Sequence, residues 1–398
     1  MKSAMEQCNF LIVGAGIIGL SVAGELLSRG RSGILILEKE LQPGLHASGR
    51  NSGVLHAGIY YSADSLKARF CIDGNRLMKE YCRRHNLPLR ETGKVIVAAD
   101  SEQLEGLHEL RNRAERNGAV IHLINTEQLA KIEPHASTFE TALYSPDTAV
   151  IDPVRILLAM KQEIQDSGKA RVLMNTAFLK RTGENTVDTT NGPVQFEMLI
   201  NTAGTYADRV AHEFGVGAEY RIQPFKGTYM QLNQNRSDLV NGNIYSVPDL
   251  KNPFLGIHFC KNVEGHVTLG PTAIPALSRE NYGFLENLEP ETPAILYRDA
   301  VLLFRNASFR HAAAVQLRKY SKRVLYAEAR RMVPELKLSD LQPSSKRGIR
   351  AQLVHWPDKQ LVMDFVILQE PSSIHVLNAV SPAFTSAIAF ARYVVDKL

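Results

Sequence analysis

The sequence predicts an α/β fold, a Rossmann-type dinucleotide-binding domain joined to an α+β domain whose sheet is mostly antiparallel. Three observations carry this. Residues 10–37 run strand, glycine turn, helix and strand within about 30 residues, as a βαβ unit requires. Short apolar runs at 171–174, 177–180 and 198–201 have the style of buried parallel strands. Residues 220–282 instead alternate apolar and polar positions between frequent turn signals, which reads as an antiparallel sheet.

The bulk properties agree. With 398 residues the chain is long enough for about two to three domains. Its 44% hydrophobic and 22% charged residues are those of a globular enzyme that builds a core without staples. The net charge of +5 is spread along the chain with no basic run, which argues against nucleic acid and suits an anionic substrate or membrane surface. Cys8, Cys71, Cys82 and Cys260 form no Cys-x-x-Cys pair, so neither a metal site nor a disulfide framework is expected. No signal peptide is expected, and no apolar stretch reaches the roughly 18 to 20 residues of a spanning helix. The expectation is a cytoplasmic protein with at most a peripheral contact on the inner face of the cell membrane.

Taken in order, residues 10–13 are a buried strand and 17–28 a helix with Ile18, Val22, Leu26 and Leu27 at three-to-four spacing, closed by Gly30. Residues 34–37 form the second strand, ending at Glu38. Residues 44–58 are rich in Gly, Ser, His and Asn and read as a functional loop. A helix over 65–85, a strand over 95–98 and an amphipathic helix over 101–117 follow. Thr126 is the expected cap of a short helix over 126–133, and Asp152-Pro153 opens another. Residues 287–328 are helical, 374–378 a strand and 383–397 the closing helix. The expected cofactor domain is discontinuous (1–85, 146–215 and 346–398), with 86–145 and 216–345 forming the substrate domain.

GAGIIG supplies the fingerprint. Gly14 makes the tight turn, Gly16 admits a pyrophosphate, Gly19 lets helix and strand pack closely, and Glu38 receives ribose hydroxyls. Ile17 and Ile18 open the helix whose N–H groups face the phosphates. FAD is favoured over a nicotinamide on two counts. A strand runs into the small-residue turn Thr202-Ala203-Gly204, and the domain is rebuilt from distant segments. In NAVSPAFTSA, Pro382 and Thr385 stand ahead of a helix whose N-terminus can stabilise negative charge on a reduced ring.

GAGIIG, LEKE, HASGRNSGVLHAGIYYSADSLKARFC and SPAFTSA together resemble the FAD-dependent oxidoreductases related to D-amino acid and glycine oxidases. Within these, the RNSGVLHAGIYY block resembles the L-2-hydroxyglutarate dehydrogenase/oxidase group, and PFKGTY, FLGIHF, LSDLQP and GIRAQL agree. Arg50 departs from the histidine more usual there. The resemblance spans essentially the whole chain. It implies a glutathione reductase/D-amino acid oxidase-like fold and further cofactor contacts at Lys39, Ser48, Asn51, Ser52, Gly53, Phe178, Ala383 and Phe384. The FAD it implies is non-covalent, although His46 lies where some relatives attach theirs.

The resemblance also implies a reaction, oxidation of L-2-hydroxyglutarate to 2-oxoglutarate by hydride transfer to flavin N5, with electrons passed to a quinone, another acceptor or oxygen. A base near neutrality must take the hydroxyl proton, and histidine is the natural one. His56 is preferred as that base, with His258 opposite it to orient the substrate. Arg350 suits the α-carboxylate through a two-pronged fork. Tyr60, Tyr61, Lys67 and Lys226 are candidates for the distal carboxylate, with Lys67 and Arg69 alternatively one solvated helix face. The competing readings are an amino-acid or secondary-amine oxidase making hydrogen peroxide, and a non-catalytic or RNA-modifying flavoprotein.

Overall fold

The computed structural model describes residues 5–248 and 256–398 and divides the chain into two compact units. The first comprises Met1–Asn51, Pro153–Pro224 and Ile349–Leu398, the second Ser52–Asp152 and Phe225–Gly348. Phe254 and Leu255 of the FLGIHF stretch lie outside the described residues.

In the first unit a parallel layer runs in the order Ala170–Leu173, Ile34–Leu37, Glu6–Val13, Gly192–Asn201 and Ser373–Val376. Every residue of Ile34–Leu37 is buried, because helices cover both faces of such a layer. One face packs Leu11, Val13, Leu35, Leu37 and Phe196 against Val210 and Phe214. The other receives helix Ile17–Ser28, which packs on helices Pro153–Asp166 and Ala383–Val395.

Three details differ from expectation. The first strand begins at Glu6, since its polar residues already pair with Val194 to Phe196. Of residues 177–180, 178–180 belong to strand Phe178–Gly183, which forms an antiparallel hairpin with Thr186–Thr189 rather than joining the parallel layer. Its sparse burial explains why an apolar-run reading misjudged it. Asn125, not Thr126, caps helix Thr126–Ile132, accepting from Gln128 N–H in a reciprocal box.

The second unit holds a mostly antiparallel sheet. From Phe225 onward, strand Tyr220–Leu232 neighbours Val267–Gly270, then His258–Lys261, Asn243–Ser246, Lys94–Val97, Thr141–Ser145 and His122–Asn125. Asn243–Ser246 and Lys94–Val97 run parallel. Strand alternation sends Val95, Val97, Ile244 and Phe259 into one core and Ile96, Tyr245 and Cys260 into another. Residues 52–85, grouped from the sequence with the N-terminal βαβ, pack in this second unit. Asn75, inside helix Leu66–Arg84, donates to Leu55 O, His56 O and Asp147 O at 3.3, 3.0 and 3.1 Å and so anchors the loop there.

Candidate functional site

The fingerprint turn lies at the carboxyl edge of the parallel layer, where ligands of open α/β sheets bind. Gly14 adopts φ +104°, and a Cβ there would meet Thr202 O at 2.7 Å. A Cβ on Gly19 would meet Gly14 O at 2.0 Å and Thr202 Oγ1 at 2.7 Å. Both positions therefore need glycine. Thr202 locks the turn from the neighbouring strand, its hydroxyl shared between Val13 O at 3.0 Å and Gly14 O at 3.1 Å. Ser48 Oγ accepts Ile17 N–H at 3.0 Å, so the loop after the second strand is tied to the helix start.

Glu38 accepts Ala15 N–H at 3.0 Å and Glu40 N–H at 3.1 Å, which aims its carboxylate along the turn and leaves acceptor positions over. Burial pushes this carboxyl upward, against those two amides, which pull it down. A cavity of about 630 Å³ opens beside the turn. Its walls include Gly14, Gly16, Ile17, Ile18, Glu38, Lys39, Ser48, Phe178, Thr202, Ala203 and Gly204. Tyr206 and Arg209, unremarked in the sequence, also line it. The Tyr206 ring carries Lys39 Nζ at 5.6 Å and Arg209 Cζ at 5.3 Å, a cationic frame for a phosphorylated ligand. His46 lines the cavity too, with Nε2 2.9 Å from Glu40 Oε1 and 2.8 Å from Lys39 Nζ.

Other candidates sit elsewhere. Gly19 is behind the turn rather than on the wall, and Asn51 binds Ala47 O and Ser48 O at 3.2 and 2.6 Å within its own loop. Arg50 donates to Leu45 O at 2.5 Å. Ser52 and Gly53 belong to the second unit, where Gly53 O accepts Ile151 N–H. Pro382 caps helix Ala383–Val395, and Ala383 and Thr385 are buried while Phe384 is half-buried. None of Pro382 to Thr385 is among the described residues of the cavity wall.

In the second unit, His56 and His258 fall within one buried cluster with Lys94, Tyr60, Tyr245 and Cys260. His258 stacks on Tyr245, its cross-strand partner, at 3.9 Å and 10°. His258 Nδ1 donates to Gly256 O at 3.0 Å; since a carbonyl only accepts, this fixes the tautomer and leaves Nε2 as the proton acceptor. Burial first, then Lys94, pushes His56 down to about 3. Burial pushes His258 down to about 4, Gly256 O opposing and Lys94 assisting. Both rings are therefore neutral at physiological pH, and both titrate below the near-neutral range expected of the base, because burial disfavours the imidazolium.

The segment that carries His56 is held by side-chain amides. Asn117 Nδ2 donates to Gly58 O at 2.7 Å and Tyr61 O at 2.9 Å, complementing Asn75. Neither asparagine stood out in the sequence, because an amide on an amphipathic helix looks like surface. Tyr60 is buried and Tyr61 half-buried. Lys67 is buried and Arg69 exposed, so the two do not share one solvated face. Lys226 Nζ donates to Asn281 Oδ1 at 2.9 Å and Gly283 O at 2.5 Å. Arg350 lies in the first unit, half-buried, with Nε donating to Gln352 Oε1 at 3.2 Å.

A flavin dinucleotide fits the first unit. The turn is bare where a side chain would collide, a helix N-terminus opens onto the cavity, and the volume is that of an ordinary cofactor site. The fold and cavity thus define a Rossmann-type dinucleotide-binding protein. Similarity to known proteins makes this specific. The chain matches the family described as FAD dependent oxidoreductase over residues 9–397 and belongs to it; its cofactor is FAD. It is 36% identical to the mitochondrial L-2-hydroxyglutarate dehydrogenase of Nematostella vectensis, across 98% of this chain and 90% of that one. To the L-2-hydroxyglutarate dehydrogenases of Escherichia coli and Homo sapiens it is 33% and 32% identical, covering 98% and 100% of this chain and 93% and 90% of theirs. Among solved structures, an FAD-bound L-alpha-glycerophosphate oxidase of Mycoplasma pneumoniae superposes with TM-score 0.79 at 23% identity, covering 99% of this chain and 95% of that one. That likeness concerns the fold.

Proposed function

We propose that this protein oxidises L-2-hydroxyglutarate to 2-oxoglutarate with FAD. The observation that carries the reading is its likeness to three L-2-hydroxyglutarate dehydrogenases, at 32% to 36% identity over nearly the whole chain. When bound, FAD supplies the acceptor for the substrate's Cα hydride. The chain must then hold a dicarboxylate and remove one hydroxyl proton.

We assign the proton to the histidine pair, with His56 as base and His258 orienting the hydroxyl through Nε2. Neutral imidazoles suit this work, since a protonated ring cannot accept. Arg350 is assigned to the α-carboxylate and Tyr60 and Tyr61 to the distal one. Lys226 already spends two donors on the turn at Asn281 and Gly283, so we assign it to that turn. The test is anaerobic titration of purified yellow protein. L-2-hydroxyglutarate should bleach the flavin; bleaching by glycine or a D-amino acid instead would make it an amine oxidase.

We further infer that the electrons leave to a quinone at a membrane surface, which the protein touches peripherally. Among the described residues no helix is long and apolar enough to cross a membrane. About half of the exposed large apolar side chains nevertheless fall between residues 284 and 320, with Phe284 81% and Phe304 83% exposed. Arg305, Arg310, Arg318, Lys322 and Arg323 follow one another there, with no Asp or Glu between Asp299 and Glu328, while Lys319 among them is buried and paired with Glu328. Apolar anchors beside a succession of cations match an anionic bilayer. Phosphatidylglycerol vesicles should sediment the protein, neutral vesicles should not, and Phe304→Asp should release it; equal sedimentation of the variant would overturn the assignment.

A further inference from the structure

Lys94 is a charged residue on a core strand. It is 1% exposed, and its Nζ is buried with no hydrogen-bond partner among the described residues. Its surroundings are two aromatic faces, the Tyr60 ring centroid at 4.4 Å and that of Tyr245 at 4.9 Å. An ammonium stripped of water and given only π-faces is an expensive choice where leucine or methionine would pack.

The sheet register explains what it faces. Ile96 lies opposite Tyr245, and Tyr245 opposite His258, on the face that also receives Lys94 and Cys260. The Tyr245 ring therefore carries the Lys94 ammonium at 4.9 Å and the His258 imidazole stacked at 3.9 Å. A protonated His258 would place a second cation on the same ring. His56, on the segment ahead of Tyr60, feels the same charge.

We propose that Lys94 is a positioning residue whose ammonium, held on the Tyr60 and Tyr245 rings, opposes a second positive charge on His56 or His258. This rests on the reading that these two rings serve the oxidation of a 2-hydroxy acid. Lys94 touches no reacting atom; it acts through the histidines. The other titratable groups facing it are Cys71 from helix Leu66–Arg84 and Cys260 from strand His258–Lys261. Tyr229 and Lys346 border Cys260. Burial drives both thiols up to about 12, so they are uncharged and do not neutralise the ammonium at neutral pH. Burial also brings Lys94 itself down to about 7, which leaves it charged throughout the acidic range in which the histidines titrate.

The experiment is NMR titration of ring-labelled histidines in the FAD-bound protein, run beside the pH profile of kcat/KM. In the unaltered protein both rings should remain neutral at pH 5.5; protonation of either there overturns the proposal without any variant. In Lys94→Met both ring titrations should rise by about one pH unit, the scale of a removed neighbouring charge, and the acidic limb of kcat/KM should follow. Lys94→Arg should restore both. If Lys94→Met does not fold, Lys94→Gln reads the same loss of charge. A stability loss with unmoved ring titrations means a packing role only and overturns the proposal. Rings that shift while the acidic limb stays put would uphold Lys94 and refute the base assignment instead.

Discussion

Helix Ile17–Ser28 contains two glycines that should respond to the same substitution with opposite signs. At Gly19 a Cβ would stand 2.0 Å from Gly14 O, and an ordinary carbon–oxygen contact is about 3.4 Å, so the helix start must retreat by about 1.4 Å. Overpacking on this scale costs about 1–3 kcal/mol of stability. The same retreat would draw the helix-start amides back from a bound phosphate, and each charge-assisted bond so lost is worth about 1.5–3 kcal/mol. Gly19→Ala should thus weaken FAD roughly 10- to 150-fold. At exposed Gly24 a Cβ would meet nothing within 4 Å. Gly24→Ala should leave FAD affinity unchanged and stabilise the fold by about 0.4–1 kcal/mol. Flavin fluorescence titration of apoprotein, beside urea unfolding, reads both. Wild-type FAD affinity in Gly19→Ala would refute the steric account of the turn.

His56→Ala should retain FAD and lose about 100-fold in kcat, the scale of a general base; turnover near wild type in stopped-flow reduction would remove it from that role. Asn75→Ala removes the amide that the buried Leu55 and His56 carbonyls share with Asp147 O and should destabilise the second unit by about 1–3 kcal/mol; an unmoved urea midpoint would contradict this. Burial pushes His375 down to about 4 from 6.5. The native state then holds fewer protons than the unfolded chain, so this stabilisation is complete above pH 6.5 and is lost as pH falls toward 4. His375→Gln should flatten that part of the stability curve, and an equally steep curve would show that other groups set it.

The parallel layer was legible because a strand covered on both faces is apolar without interruption, as at Ile34–Leu37. The fingerprint was legible because its glycines answer a steric demand that no other residue meets. The second unit's histidine cluster was legible only in part. His56 and His258 stood out through the resemblance, while Lys94 did not, since a lysine at a strand's start reads as a solvated end. Asn75 and Asn117 were invisible because their bonds run to backbone groups far away in sequence. The placement of residues 52–85 was missed for the same reason: composition marks a loop but says nothing about which core receives it.

Thr202 seals the turn at Gly14, and helix Ala383–Val395 packs on helix Ile17–Ser28. The cradle at the fingerprint is therefore completed by residues made long after it. A nascent chain that has displayed its fingerprint still lacks one wall of the pocket and one support of the helix above it. Cofactor capture is set late, after the second unit's segments have emerged. Ribosome-stalled chains ending before residue 202 should carry no flavin, however complete their first βαβ.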